Sequence, residues 1–280
     1  MNLDWLDILR KDGISQIECP FSEDTLNKWN QLLDPHFKSL KDQERSYATI
    51  VDLHKMGILE QFFSDELRSI IQNIMPDPTL ISFHAYEIKG MNQKNHVFGD
   101  ALNGWHRDIA NLPGLKVNDL NFVSLFIYLS GVKEGDGEFE IIQRSFDGPA
   151  LDGDRSLKIL GPTGTTFLWN RTLLHRACPN LSPQRRRVLK ISFQHNYLQN
   201  EYINSDAYLK TRELVRDPYL KFLLGEKHQI SPYGHSAPHS TDLISKAVPL
   251  FSNSQVKLRL TEFIKGLWWF VRRNKRPFGP

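Results

Sequence analysis

Leu120-Asn121-Phe122-Val123-Ser124-Leu125-Phe126-Ile127-Tyr128-Leu129 is the stretch that decides the fold. On an extended chain successive side chains point to opposite faces, so Val123, Leu125, Ile127 and Leu129 share one face. Phe122, Ser124, Phe126 and Tyr128 share the other. The aliphatic face suits packing under helices, and the aromatic and hydroxyl face suits the lining of a pocket. The segment therefore reads as a buried strand.

The same alternation extends outward from it. Leu80–Lys89 reads as a strand upstream. Phe139–Arg144, Thr165–Trp169 and Arg186–His195 read as strands downstream. Turn clusters separate them: Gly131–Gly137, the loop Ser145–Asp154, and Gly161-Pro162-Thr163-Gly164. Short strands with regular turn signals and no intervening helices predict a barrel or sandwich and argue against parallel βαβ units. Residues 1–75 read as helical instead. Leu3, Leu6 and Leu9 recur at helical spacing up to Gly13. Ile14, Ile17 and Phe21 suggest a short strand. Ser22 is an expected N-cap for a helix carrying Leu26, Trp29, Leu32 and Leu33, and Ser64 for one carrying Leu67, Ile70, Ile71 and Ile74, stopped before Pro76.

The chain has 280 residues, 40% of them hydrophobic and 24% charged, which is ordinary globular composition. Its net charge of +3 does not point to nucleic acid. Two cysteines, Cys19 and Cys178, make no disulfide framework, which implies a reducing compartment and a cytoplasmic location. No stretch is apolar for long enough to span a bilayer. The expected division is a domain over residues 1–200, its barrel strands at about 80–197, and a helical C-terminal extension over 201–280 packing on or near it.

A long polar, glycine-containing loop, Asn92–Asn103, leads into Gly104-Trp105-His106-Arg107-Asp108. His106 and Asp108 are two apart, so an extended chain points both the same way. Imidazole plus carboxylate is two-thirds of the triad that holds non-haem Fe(II), and it equally suits an exposed loop, so a second histidine is required. His175 is the candidate. In an antiparallel barrel, positions far apart in sequence converge at one mouth. Next comes Arg185-Arg186-Arg187. A buried site for a dicarboxylate calls for one guanidinium fork. Alternation puts Arg187 with Leu189, Ile191 and Phe193, under the helices. Arg186 falls with Val188, Lys190, Ser192 and Gln194, toward a wet lumen. Solvated charges at a strand entrance are the alternative for all three.

The residues His106, Asp108, His175, Asn180, Ser182 and Arg186, with the segment Gly135–Ile142, resemble the phytanoyl-CoA dioxygenase family of Fe(II)/2-oxoglutarate oxygenases. The resemblance covers roughly residues 10–197. Gln143-Arg144-Ser145-Phe146 and Ala177 depart from the family pattern. The resemblance implies a double-stranded β-helix, a jelly-roll or cupin-like barrel packed against the N-terminal helices. It implies an Fe(II)/2-oxoglutarate-dependent dioxygenase that hydroxylates a small organic molecule and converts 2-oxoglutarate and O₂ to succinate and CO₂. The substrate class is left open among lipid-like or acyl compounds, amino-acid derivatives and specialised metabolites. His106, Asp108 and His175 would hold the metal and Arg186 the far carboxylate of 2-oxoglutarate. Asp108 stands where iron halogenases carry Gly or Ala, which argues against halogenation. Ser124 is either a donor to 2-oxoglutarate or a core hydroxyl. Trp105, Tyr86, Phe126 and Trp169 either line the pocket or pack the core. Arg107 and Arg144 either meet an anionic substrate group or form surface salt bridges. A non-catalytic, barrel-shaped small-molecule-binding protein is the alternative function.

Two further features read mainly as structure. His228, His235 and His239 suit a loop over the barrel mouth better than a zinc site. Val256, Leu260, Phe263, Ile264, Leu267 and Val271 form a helical stripe followed by Arg272, Arg273, Lys275 and Arg276. This helix either docks on the domain or touches an anionic membrane surface.

Overall fold

The computed structural model describes residues 4–41, 43–92, 104–109, 119–146, 156–196, 198 and 205–226. The expected loops at Asn92–Asn103 and Ser145–Asp154 fall largely outside these residues. The histidines 228, 235 and 239 and the C-terminal stripe fall wholly outside them.

Seven helices and nine strands are described. In order they are α1 (Asp4–Asp12), β1 (Ile14–Ile17), α2 (Glu23–Ser39), β2 (Arg45–Ala48), α3 (Ile50–Lys55), α4 (Ile58–Phe62), α5 (Asp65–Ile74), β3 (Pro78–Ile88), β4 (Phe122–Tyr128), β5 (Phe139–Ile142), β6 (Ser156–Ile159), β7 (Thr166–Asn170), β8 (His175–Ala177), β9 (Arg186–His195), α6 (Asp206–Leu214) and α7 (Pro218–Leu223). The strands form a six-stranded sheet, β1-β7-β4-β9-β3-β2, and a three-stranded sheet, β6-β5-β8. Every pairing between these strands is antiparallel.

The two faces of β4 separate as its sequence dictates. Val123, Leu125, Ile127 and Leu129 join Leu189, Ile191 and Phe193 of β9 in a core shared with Leu26, Trp29 and Leu33 of α2 and Ile71 of α5. Phe126 and Tyr128 face the other way, into a second core with Phe139 and Ile141 of β5, Ile159 of β6, and Phe167 and Trp169 of β7. Phe139 lies 5.3 Å from Phe126, 5.3 Å from Phe167 and 5.1 Å from Trp169 by ring centroid, so an aromatic layer joins the two sheets. The Tyr128 hydroxyl donates to the Ile159 carbonyl at 2.9 Å, a polar tie across the same layer.

The helical reading of residues 1–75 is too uniform. Ser22 and Ser64 cap α2 and α5 by accepting from Thr25 N and Leu67 N, each cap worth about 1 kcal/mol. Between those helices, however, β2 adds an edge strand to β3. Helices α6 and α7 also pack into the helix-side core through Tyr208, Leu220 and Leu223. Among the described residues no helix is long and apolar enough to cross a membrane.

Candidate metal centre

His106 lies in none of the described strands, yet its backbone pairs with that of His175 at the start of β8. The two main chains exchange hydrogen bonds of 3.0 Å each, His106 N to His175 O and His175 N to His106 O. This brings residues 69 positions apart in the chain into register, and the imidazole centroids lie 4.2 Å apart. Each ring is oriented by its own turn. His106 Nδ1 lies 2.9 Å from Gly104 O, and His175 Nδ1 lies 3.0 Å from Leu173 O. A carbonyl only accepts, so both Nδ1 atoms carry a proton and each Nε2 is the ring nitrogen left to face the site. Gly104 has φ 79°, the left-handed backbone that glycine adopts without strain. His175 is further held between Trp169, at 4.2 Å, and Phe139, stacked at 5.4 Å.

Asp108 Oδ1 faces both imidazole Nε2 atoms, 3.6 Å from that of His106 and 3.7 Å from that of His175. The three ligand atoms all lie within 4.8 Å of one another. Two imidazole nitrogens and a carboxylate oxygen at this spacing form a set that could hold a metal ion. The other carboxylate oxygen is taken. Arg171, just beyond β7, reaches Asp108 Oδ2 through Nε at 3.0 Å and Nη2 at 2.9 Å, and Lys190 of β9 lies 3.4 Å from it. Burial by itself would raise the Asp108 pKa. The Lys190 and Arg171 charges outweigh it and hold the carboxyl well below the usual carboxylate range. Burial, reinforced by His106, pushes His175 well below the ordinary imidazole value, so it is neutral. Carboxylate and neutral imidazole are the forms that bind a metal.

On β9 the expected register holds. Arg187 turns to the helix side, bonding Glu87, Asp34 and Asn30. Arg186 turns inward and is 1% exposed. Its Nη2 donates to the Tyr86 hydroxyl at 2.6 Å, its Nη1 to the Gly137 carbonyl, and it lies 5.6 Å from the centroids of both Tyr86 and Tyr128. No carboxylate of the described residues comes within 4 Å of it, and its Nε is buried without a partner. A buried guanidinium lacking a counter-charge is costly, so this position suits an anion. Arg171 Nη1 and Trp169 Nε1 are likewise buried and unpartnered among the described residues. These orphaned donors and the His-Asp-His triangle fit a metal together with an anionic ligand.

The loop that launches β9 is built by the motif residues. Asn180 Nδ2 donates to Gln184 O at 2.8 Å, and Ser182 Oγ donates to Asn180 Oδ1 at 3.1 Å. Gly137 has φ 77°, and a Cβ there would meet Asn180 Cβ at 3.0 Å. The Gly135–Ile142 turn and the Asn180 loop therefore interlock beneath Arg186.

The remaining candidates divide. Phe126 and Trp169 are in the inter-sheet core with Lys190 above their rings, 5.3 and 5.7 Å from the centroids. Tyr86 holds Arg186. Ser124 is fully buried and bonded to Ser192 Oγ at 2.7 Å, a side chain and not the backbone. Trp105 carries the Arg176 guanidinium 4.7 Å above its ring. Arg107 turns to the carbonyls of Ser145 and Thr172. Arg144 faces out, 62% exposed and paired with Asp12 at 2.6 Å. Arg171 carried no signal in sequence, and Lys190 carried only its place on the lumen face of β9.

No family model and no curated protein matches the chain. Solved structures do. AviO1 from Streptomyces viridochromogenes Tue57 matches with a TM-score of 0.57 at 13% identity, over 69% of this chain and 95% of that one. HygX from Streptomyces hygroscopicus, solved with nickel and 2-oxoglutarate bound, matches with a TM-score of 0.53 at 13% identity, over 71% and 89%. EvdMO1 matches with a TM-score of 0.55 at 18% identity, but this chain spans about half of its length, 49%. The chain thus shares its fold with these proteins, one of which, HygX, holds nickel and 2-oxoglutarate.

Proposed function

We propose that this chain is a non-haem Fe(II)/2-oxoglutarate-dependent oxygenase of the phytanoyl-CoA dioxygenase type, hydroxylating a small organic molecule. The observation that carries the reading is the pairing of the His-Asp-His triangle with a buried, anion-less Arg186 on the same interior. In this reading the two sheets are the halves of a double-stranded β-helix. His106, Asp108 and His175 hold the metal through Nε2, Oδ1 and Nε2. Arg186 takes the far carboxylate of 2-oxoglutarate with its uncommitted N–H groups. The Ser124–Ser192 pair keeps one hydroxyl proton free of their mutual bond, available to the same ligand. When bound, iron and 2-oxoglutarate supply the oxidation: O₂ delivers one atom to a substrate C–H and one to succinate as CO₂ leaves. The protein's own residues orient the ligands and exclude water. HygX has also been solved with hygromycin B bound, and SnoN, with a TM-score of 0.51 at 10% identity, is a non-haem α-ketoglutarate-dependent epimerase from nogalamycin biosynthesis. They favour a small, oxygen-rich natural product as substrate over a macromolecule. The test is succinate formation from 2-oxoglutarate by Fe(II)-loaded protein in air. Succinate above an Asp108→Asn control supports the reading. Tight 2-oxoglutarate binding with no succinate across a broad substrate panel would instead support a binding protein.

A further inference from the structure

We propose that Arg45 of the edge strand β2, held by the rings of Tyr47 and Tyr86, binds an oxyanion, carboxylate or phosphate, that the primary substrate carries far from its reacting carbon; the proposal rests on the oxygenase reading above. Strand β2 ends the six-stranded sheet. Its register sets Arg45 opposite Ile88 and Tyr47 opposite Tyr86, and Ile88 in turn lies opposite Arg186 of β9. Ile88, Tyr86 and Val188 belong to the core between the sheets, so Arg45 and Tyr47 stand on that interior face. Arg45 and Arg186 therefore occupy one row, two strands apart. They differ in access. Arg186 is 1% exposed, whereas Tyr47 is 43% exposed, so the interior face reaches solvent at β2.

Arg45 is held in place without being neutralised. Its guanidinium lies 4.3 Å from the Tyr86 ring centroid and 5.1 Å from that of Tyr47. It makes no hydrogen bond, and no carboxylate of the described residues lies within 4 Å of it. Each of the other partly or wholly buried arginines described donates at least one hydrogen bond. The Nε of Arg45 is buried without a partner, while its two terminal nitrogens reach solvent. Contact with aromatic rings fixes a guanidinium without consuming its N–H groups, which stay in the plane of the fork for an oxyanion. A continuous wall of side chains joins this fork to the metal centre. The Tyr47 ring meets that of His84 edge-on at 5.4 Å, and His84 lies opposite Lys190, which reaches Asp108 at 3.4 Å. From Lys190 to Arg45 is two strands across and four residues along, roughly 17 Å between Cα atoms. An acidic group at Arg45 is thus remote from the reacting carbon and serves to hold and orient an extended substrate.

The experiment is calorimetric titration of benzoate, phenyl phosphate and the neutral benzyl alcohol into the full chain saturated with Ni(II) and 2-oxoglutarate, which fills the anion position at Arg186. Wild type should bind one of the two anions at least about tenfold more tightly than benzyl alcohol, and the tighter of the two names the oxyanion. Arg45→Gln should lose that preference, a fall of about tenfold or more, the size of one hydrogen bond to a charged group. Arg45→Lys should recover only part of it, because an ammonium lacks the planar fork. The 2-oxoglutarate affinity of these variants should stay within about twofold of wild type, since Arg186 is untouched. Arg45→Met replaces the glutamine variant if that protein does not fold. Equal binding of all three probes to wild type overturns the proposal. So does anion binding by Arg45→Gln at wild-type strength. Failure of wild type with Ni(II) to bind 2-oxoglutarate overturns the oxygenase reading instead, and it is seen before any probe is added.

Discussion

Replacing Arg186 and Arg187 in turn with methionine separates ligand binding from stability, although the two are adjacent in sequence. Arg187 is 11% exposed at its side chain and bonds Glu87 Oε1 through Nε at 2.8 Å and Nη2 at 2.6 Å, with Asp34 on the same Nη2. Glu87 is itself only 6% exposed, so Arg187→Met strands a buried carboxylate whose next cation, Arg185, is 3.6 Å away. Breaking such a buried pair costs about 3–5 kcal/mol. At roughly 2–4 °C per kcal/mol for a unit of this size, the lower figure alone lowers Tm by about 6–12 °C. Arg186 is different, since no described carboxylate depends on it. Arg186→Met relieves an uncompensated buried charge, while freeing Tyr86 OH and Gly137 O, so the ligand-free Tm should change little. What it should lose is the response to ligand. With Ni(II) present, 2-oxoglutarate at 100 times its Kd stabilises by about 2.7 kcal/mol, or roughly 5–11 °C. Differential scanning calorimetry of both variants, with and without 2-oxoglutarate, reads all four values. Arg187→Met should melt lower and keep the ligand shift; Arg186→Met should keep its ligand-free Tm and lose the shift. The opposite pattern would mean that the inward and outward faces of β9 are exchanged, and every assignment on that strand would fail with them.

Three further outcomes follow from the same geometry. Gly137→Ala meets Asn180 Cβ at 3.0 Å and adopts a left-handed φ of 77°, costing about 1–2 kcal/mol and moving the carbonyl that Arg186 grips; urea unfolding should show the loss, with weaker 2-oxoglutarate binding beside it. Asp108→Asn keeps the shape of the side chain but removes the charge between Arg171 and Lys190, so Ni(II) binding measured by calorimetry should fall at least about tenfold. Acidity should weaken the metal-free protein: the buried His175 is held below the ordinary 6.5, so its contribution is complete above that value and declines as pH falls from there toward its depressed folded pKa. His195, also lowered by burial, adds to the slope, so His175→Asn should flatten only part of the stability loss between pH 7 and pH 5 in chelator, and a gain in stability on acidification would contradict the assignment.

Much of this arrangement was legible because alternation is a local property. The two faces of β4, the bounds of β9 and the split between Arg186 and Arg187 come directly from the order of side chains along an extended chain. The Ser22 and Ser64 caps are equally local. Strands β2, β6 and β8 were not legible, because they are three or four residues long and are defined by their partners. Leu157 of β6 is 37% exposed and Ser156 is also exposed, so no apolar alternation announces that strand. Arg171 shows the same limit at the site. It follows β7 in no recognisable motif, and only the fold carries it to Asp108, 63 positions earlier. The hydrogen-bond partner of Ser124 is its neighbour across the sheet, Ser192, which pattern alone does not pair with it. Arg144 could be placed only once its turn was seen, with φ 61° directing it to Asp12.

The central claim is that His106, Asp108 and His175 hold a metal to which 2-oxoglutarate adds, anchored by Arg186. Its most direct test is the visible absorption spectrum of the protein with Fe(II) and 2-oxoglutarate under anaerobic conditions. A metal-to-ligand charge-transfer band that needs all three components, disappears in Asp108→Asn and weakens in Arg186→Met is the result expected. A colourless mixture, under conditions where the protein is folded and Fe(II) is in excess, would contradict the assignment.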